Sequence, residues 1–220
     1  MCRIFKRTYL SLKKSNLVLD MSTTRKNNRG GIPIASSDPS KYIALDCEMV
    51  GVGRKGTVSR LGEVAIVDWN GKTIYHSYVK PAEEVVDYRT QFSGLTKGIL
   101  DSKGRPFAQV QKEVLAVMRG KIIVGHALEN DFRALQIGYM PEFTRNTARL
   151  PMFQQTDRLG KLMPRRLQAL AKNYLGQNIQ AGEHDPSEDA RTAMELYKRY
   201  KPEFDKKSGG LRKTRKQKAR

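Results

Sequence analysis

The chain has 220 residues, 39% of them hydrophobic, and a formal net charge of +19. That length suits one α/β domain with a sizeable core plus tails; apolar runs as short as Ile122-Ile123-Val124 are too brief to span a bilayer, so no membrane partner is expected. Two cysteines, Cys2 and Cys47, cannot build a disulfide framework, which favours a reducing compartment and no disulfide partner.

The charge is unevenly placed. Residues 1–30 carry eight Lys/Arg against Asp20 alone (+7), and residues 206–220 carry eight Lys/Arg and no acid (+8), leaving +4 for everything between. Residues 1–40 therefore read as a basic flexible arm, 41–203 as the folded domain and 204–220 as a basic disordered tail. Such tails attract phosphate backbones through counterion release without reading sequence, and they also fit a nuclear or nucleolar address or a solvated, solubilising end. The N-terminal Ile4, Phe5, Leu10, Leu12 and Leu17 interleaved with Arg3, Lys6, Arg7 and Lys13 are compatible with a mitochondrial presequence, and Met21 offers an alternative start.

In chain order, a first strand is predicted at about 42–46, then a Gly/Lys/Arg loop from Gly51 to Ser59 and a second strand from Leu61 to Trp69. Asn70-Gly71 is a type I′ hairpin signal, and Lys72 to Val79 is the returning strand. Pro81 to Gly94 reads as a loop, and Thr96 caps a short helical turn. Pro106 opens a helix whose Phe107, Val110, Val114, Leu115 and Met118 fit a 3.6 period, ended by Gly120. A buried strand follows at Ile122–Gly125, then a helix from near Leu128 carrying Phe132, Leu135 and Ile137, and a fifth strand at Phe143–Thr147. Residues 166–175 form a helix stopped at Gly176, and the final helix spans about 187–200. Strands first, then alternating helix and strand, predict an α/β fold: a central mixed five-stranded sheet flanked by helices.

The chemistry begins on the first strand. Residues two apart in an extended segment point to one face, so Asp46 and Glu48 aim their carboxylates at one spot. Two anions on a buried strand repel unless a cation lies between them, and oxygen ligands favour Mg²⁺ or Mn²⁺. Taken alone, Asp-x-Glu also fits an exposed acidic turn. Asp131 falls near a helix N-terminus, where an Asp is also a simple dipole partner. Asp185-Pro186-Ser187-Glu188 reads as a capped helix start, with Glu188 closing a capping box. Asp189 follows, and His184 sits just outside the helix, able to hang over the pocket that Asp189 enters.

Four segments together resemble the DEDDh 3′→5′ exonucleases of the ribonuclease H-like superfamily, closest to Rex4-like and interferon-stimulated RNA exonucleases. They are Tyr42-Ile43-Ala44-Leu45-Asp46-Cys47-Glu48-Met49-Val50-Gly51, Asp87-Tyr88-Arg89-Thr90 with Ser93-Gly94-Leu95-Thr96, Val124-Gly125-His126-Ala127-Leu128 with Asn130-Asp131, and Glu188-Asp189-Ala190-Arg191-Thr192-Ala193-Met194-Glu195-Leu196-Tyr197. Glu129, Asn146 and Glu63 depart from what relatives usually carry and touch fine substrate preference.

The resemblance implies a ribonuclease H-like exonuclease fold and two-metal phosphodiester hydrolysis with two Mg²⁺ or Mn²⁺ ions. Asp46 would bridge both ions, Glu48 and Asp189 would complete the ion that binds the attacking water, and Asp131 would hold the second. His184 would be the general base. Met49, Leu95, Arg89 and His126 are the candidate substrate contacts, with Leu95 equally suited to the core, Arg89 to an ion pair and His126 to packing. His76 reads as structural. The expected activity is a 3′→5′ exoribonuclease releasing 5′-mononucleotides, in ribosomal RNA precursor processing, on single-stranded RNA, as a monomer, in the nucleus or nucleolus (alternatively the mitochondrion). A DNA-directed repair exonuclease and a non-catalytic RNA-binding scaffold are the competing readings.

Overall fold

The structure, a computed structural model, describes residues 36–205. The expected terminal polycations and presequence-like segment lie outside the described residues. A meander of β1 (Tyr42–Val52), β2 (Val58–Asp68) and β3 (Thr73–Lys80) is followed by β4 (Val85–Asp87), α1 (Thr90–Ser93) and α2 (Lys97–Lys103). Next come β5 (Arg105–Pro106), α3 (Phe107–Met118), β6 (Ile122–Gly125), α4 (Glu129–Ala134) and β7 (Thr144–Asn146). A small hairpin, β8 (Gln154–Thr156) and β9 (Leu162–Pro164), precedes α5 (Leu167–Leu170), whose last turn widens through Leu175, and the long α6 (Pro186–Arg199).

The main sheet has seven strands in the order β5-β3-β2-β1-β6-β7, with β4 pairing the end of β1. β1 runs antiparallel to β2 and parallel to β6, so the sheet is mixed as expected. The expected count of five is corrected to seven. The two additions, β4 and β5, are three and two residues long, too short to show a period, and fell in an expected loop and at an expected helix start.

β1 is central, and both its faces are covered. Tyr42 and Ala44 pack with Ala190, Met194 and Tyr197 of α6, whereas Ile43 and Leu45 pack with Val110 and Val114 of α3 and Phe132 of α4. Burial on both faces explains the near-continuous apolar run that opens the strand.

Three local expectations are corrected. The β2–β3 connection is a three-residue loop, Trp69-Asn70-Gly71, closed by Asp68 N to Lys72 O at 2.9 Å; Gly71 takes φ +82° while Asn70 stays at negative φ, so the turn is not type I′. α4 stops at Ala134 because Gln136 turns to φ +54°, leaving Ile137 buried beyond the helix. At the C-terminal side, Phe204 is 5% exposed and Asp205 lies 3.6 Å from the guanidinium of the buried Arg145, so packing continues past residue 203. At the other end, Ser36 exchanges hydrogen bonds with the Tyr42 hydroxyl (2.8 and 2.9 Å). No helix among the described residues is long and apolar enough to cross a membrane.

Candidate active site

Asp46 and Glu48 continue the row that Tyr42 and Ala44 begin beneath α6, but they lie beyond the apolar part of that helix. A β-bulge falls between Glu48 and Met49, opposite Gly62. A side chain at Gly62 would strike Leu95 Cδ1 at 2.5 Å, so glycine lets Leu95 pack closely against the bulge. Bulges re-aim side chains near functional sites, and Met49 is turned into the same cleft.

The other acids arrive from helix starts. β6 ends beside the acidic stretch of β1, and α4 then begins, burying Asp131 to 3% exposure. The Asp131 carboxyl takes hydrogen bonds from its own amide and from the thiol and amide of Cys47. Cys47 is thus buried as expected, yet it also donates to a site carboxylate. In α6, Asp185 caps the helix by accepting from Ser187 N at 2.8 Å, and Pro186 occupies the first turn. The expected capping box does not close: Glu188 instead accepts from Gln180 N at 3.3 Å. Asp189, one residue on, is 3% exposed and accepts from Gln180 Nε2 at 2.6 Å.

His184 is fixed by its backbone, whose amide donates to Phe92 O at 2.6 Å. Its ring Nδ1 lies 3.7 Å from both Glu48 Oε1 and Asp189 Oδ2. The ligand atoms of Glu48, His184 and Asp189 all fall within 4.8 Å of one another. These residues, with Asp46 and Asp131, line one cleft of about 710 Å³.

Electrostatics state what the cleft lacks. Asp46 is pushed well above the ordinary carboxylate range by burial first, then by Asp131, Asp189 and Glu48. Burial, Asp189 and Glu63 raise Glu48 to about 8. Burial raises Asp131 to about 7 against the help of its hydrogen bonds, and Asp189 to about 6 against that of Gln180. Asp189 Oδ1 is buried with no hydrogen-bond partner among the described residues. Four carboxylates share the cleft, one oxygen is orphaned, and burial holds the nearby imidazole of His184 below its ordinary value. Such a donor set fits divalent cations, whose charge would reverse every one of these carboxylate shifts.

The remaining candidates divide. Met49 and His126 line the cleft. His126 Nδ1 sits 2.8 Å from Thr147 Oγ1, and burial lowers the ring to about 4, so it is neutral. Leu95 is corrected to a core residue, 1% exposed and packed with Val50 and Leu100. Arg89 is also corrected: its guanidinium donates to Ser59 Oγ (3.0 Å) and Gly56 O (3.2 Å), with Asp87 at 3.9 Å, away from the cleft lining. Sequence reasoning missed Gln180, which orients Asp189, and Phe92, 56% exposed at the cleft rim. It also missed what His76 touches: its Nε2 lies 2.6 Å from Glu63, which stands directly across the strands from Glu48. That imidazole offsets the second carboxylate.

The RNase_T exonuclease family pattern matches residues 43–197. The chain belongs to this exonuclease family. The matched span runs from β1 through most of α6 and contains all four cleft carboxylates and His184. Apoptosis-enhancing nuclease of Rattus norvegicus is 45% identical to this chain over 165 residues, 74% of this chain and 49% of the rat protein. RNA exonuclease 4 of Mycosarcoma maydis is 43% identical over 195 residues, 86% of this chain and 51% of the relative. The likeness to Rex4-like exonucleases drawn from the four segments therefore holds. The chain spans about half the length of the curated relatives it matches. Among solved structures, the Saccharomyces cerevisiae Pan2 pseudoubiquitin hydrolase-RNA exonuclease module in complex with AAGGAA RNA superposes with a TM-score of 0.65 at 28% identity, over 81% of this chain and 32% of that chain.

Proposed function

We propose that this domain is a metal-dependent 3′→5′ exoribonuclease that releases 5′-mononucleotides. The observation that carries the reading is the meeting of Asp46, Glu48, Asp131, Asp189 and His184 in one cleft, where burial raises the four carboxylates and one Asp189 oxygen has no hydrogen-bond partner among the described residues. The names of the relative RNA exonuclease 4 and of the RNA-bound Pan2 module support RNA as the substrate.

Asp46, Glu48, Asp189 and Asp131 are the residues that would hold two Mg²⁺ or Mn²⁺ ions. Bound there, the ions supply charge neutralisation of the phosphate and a more acidic water. His184 takes the proton from the attacking water. Burial keeps its imidazole unprotonated at neutral pH, and the Phe92 carbonyl fixes its backbone over the carboxylates. Gln180 holds Asp189 in a single orientation. Met49 and the rim residue Phe92 present apolar surface to the terminal base. Action on ribosomal RNA precursors in the nucleus is proposed from the resemblance and from the Lys/Arg-rich ends at residues 1–30 and 206–220.

The test is degradation of matched 3′-labelled RNA and DNA strands with Mg²⁺, Mn²⁺ or chelator. Metal-dependent release of mononucleotides, faster from RNA, is expected, and Asp46→Asn should abolish it. Undiminished activity in that variant would sink the site assignment. Faster DNA degradation would favour the repair-type reading.

A further inference from the structure

One wall of the cleft is chemically unlike the rest. It is formed by the stretch from Pro164 to Gln168, which leaves the β8–β9 hairpin and lines the same cleft as the carboxylates. Between Arg158 and Arg166, nine residues carry four cations: Arg158, Lys161, Arg165 and Arg166. Their one neighbouring acid, Asp157, is engaged within the turn, accepting from Leu159 N and Lys161 N at 2.9 Å each. None of the four cations has a carboxylate partner among the described residues. Elsewhere, Arg60, Arg105 and Lys80 each sit 2.6 Å from an acid.

Arg165 is the most telling of them. Its backbone is pinned, with the amide donating to Phe153 O at 3.1 Å. Its Nε is buried and has no hydrogen-bond partner among the described residues. A buried guanidinium nitrogen left unpaired is costly unless a ligand completes it, and the planar guanidinium fork suits phosphate oxygens. The same ribbon exposes Leu159 (92%), Leu162 (60%) and Met163 (39%), apolar surface beside the cations. Cations interleaved with exposed apolar side chains suit a nucleic-acid strand, whose phosphates and base faces alternate. An acidic protein segment would offer carboxylates but no reason for the apolar flank.

We propose that Arg165 and Arg166, continued by Lys161 on the β8–β9 hairpin, form a track for the phosphate backbone of a single strand, 5′ of the nucleotide held at the carboxylates. The proposal rests on the nuclease reading above and adds where the uncut strand lies. The cationic wall begins at the cleft and runs outward along the hairpin, so a strand with its 3′ end at Asp46 leaves over Arg165 and Arg166.

The test compares the wild type with the double variant Arg165→Gln/Arg166→Gln on a 12-nucleotide RNA and on a dinucleotide, with salt titration. On the 12-mer, KM should rise by about 10-fold while kcat changes by less than about two-fold, as expected for lost charge-assisted contacts made equally in ground and transition states. The slope of log KM against log salt should become shallower by about 1.4, about 0.7 for each single-strand phosphate contact removed. The dinucleotide, with no upstream phosphate, should be cleaved as by the wild type. Lys161→Gln, on the exposed hairpin, should show the same pattern at smaller size and serves if the double variant fails to fold. Arg119→Gln, at the exposed end of α3, should change nothing. An unchanged KM and salt slope on the 12-mer overturns the track, as does an equal kcat loss on the dinucleotide, which would put the arginines at the scissile phosphate. A wild type inactive on every nucleic acid would instead overturn the nuclease reading.

Discussion

Two hairpins of this protein use one turn and do opposite things with it. Asp68-Trp69-Asn70-Gly71-Lys72 and Asp157-Arg158-Leu159-Gly160-Lys161 share the pattern Asp-x-x-Gly-Lys. In each, the Asp amide donates to the Lys carbonyl at 2.9 Å, the Gly amide donates to the Asp carbonyl at 3.1 Å, and the Asp side chain accepts from two further amides. The glycines take φ +82° and +78°, which a side chain would resist. The difference lies in the two central positions. Trp69 packs 5.2 Å from Tyr42 with Lys198 Nζ 4.9 Å above its ring, whereas its counterpart Arg158 is exposed and Leu159 beside it is 92% exposed. The first hairpin grips α6, since Arg191 donates to Gly71 O at 3.0 Å, and so holds the helix that presents Asp189. The second leads into the cationic stretch 164–168 that lines the cleft. One turn thus serves two ends, holding a helix by packing in one case and leaving charge unpaired in the other.

The largest effect is expected where the first hairpin's helix meets the chemistry. Asp189→Asn should lower kcat by about 100-fold or more, since even residues that only orient metal ligands are worth 10- to 100-fold, and steady-state kinetics with Mg²⁺ would reveal it. A variant with near-normal kcat would mean that α6 does not deliver a ligand. Next, Trp69→Ala should destabilise by about 2–3 kcal/mol, because a half-buried aromatic against two tyrosines is removed. Its counterpart Arg158→Ala should stay within about 0.5 kcal/mol. Urea unfolding of both variants measures the contrast, and equal losses would erase it.

A pH scan separates the acidic side from the cationic one. Glu48, Asp131 and Asp189 titrate near 8, 7 and 6 in the folded protein, above their ordinary values of 4.5 and 3.8. Groups raised in this way bind protons more tightly when folded, so their contribution is complete below pH about 4 and is lost as pH rises through 6 to 8. The chelated protein should therefore melt at progressively lower temperature from about pH 5 to about pH 8, and Mg²⁺ should restore most of the loss at the alkaline end. A melting temperature that climbs with pH in chelator would contradict the origin given for these shifts. The smallest effect distinguishes the two turns themselves. Asp68→Ala should lower global stability by about 1 kcal/mol through its lost amide contacts. Asp157→Ala should leave the global melt almost unchanged and raise KM a few-fold on a long strand.

Much of the site was legible in order and spacing. Asp46 and Glu48 share a face because strands alternate, and Asp189 and His184 fall around a helix start marked by Asp185-Pro186. Three readings failed for identifiable reasons. Asn-Gly occurs in both the type I′ turn and the longer loop, and here the Asp68 carboxylate, accepting from Asn70 N and Lys72 N, closes the longer one. Leu95 and Arg89 lie next to informative residues, but adjacency does not give direction: Leu95 packs into the core against Val50 and the space left by Gly62, and Arg89, at φ +53°, donates to the Gly56 carbonyl. β8 and β9 escaped notice because three-residue strands carry no period. Their signal was the second Asp-x-x-Gly-Lys.

By itself, the sequence determined which residues could bear charge or pack: the alternating strand, the capped helix, the carboxylates and their rough order. Those properties follow from local geometry, which acts within a few residues. The tertiary structure alone decided which charges meet. It set Glu48 against Glu63 and His184, left one Asp189 oxygen and one Arg165 nitrogen without hydrogen-bond partners among the described residues, and gave the two like turns different surroundings. Burial and mutual repulsion are properties of distance in space, and chain spacing does not encode distance across a sheet.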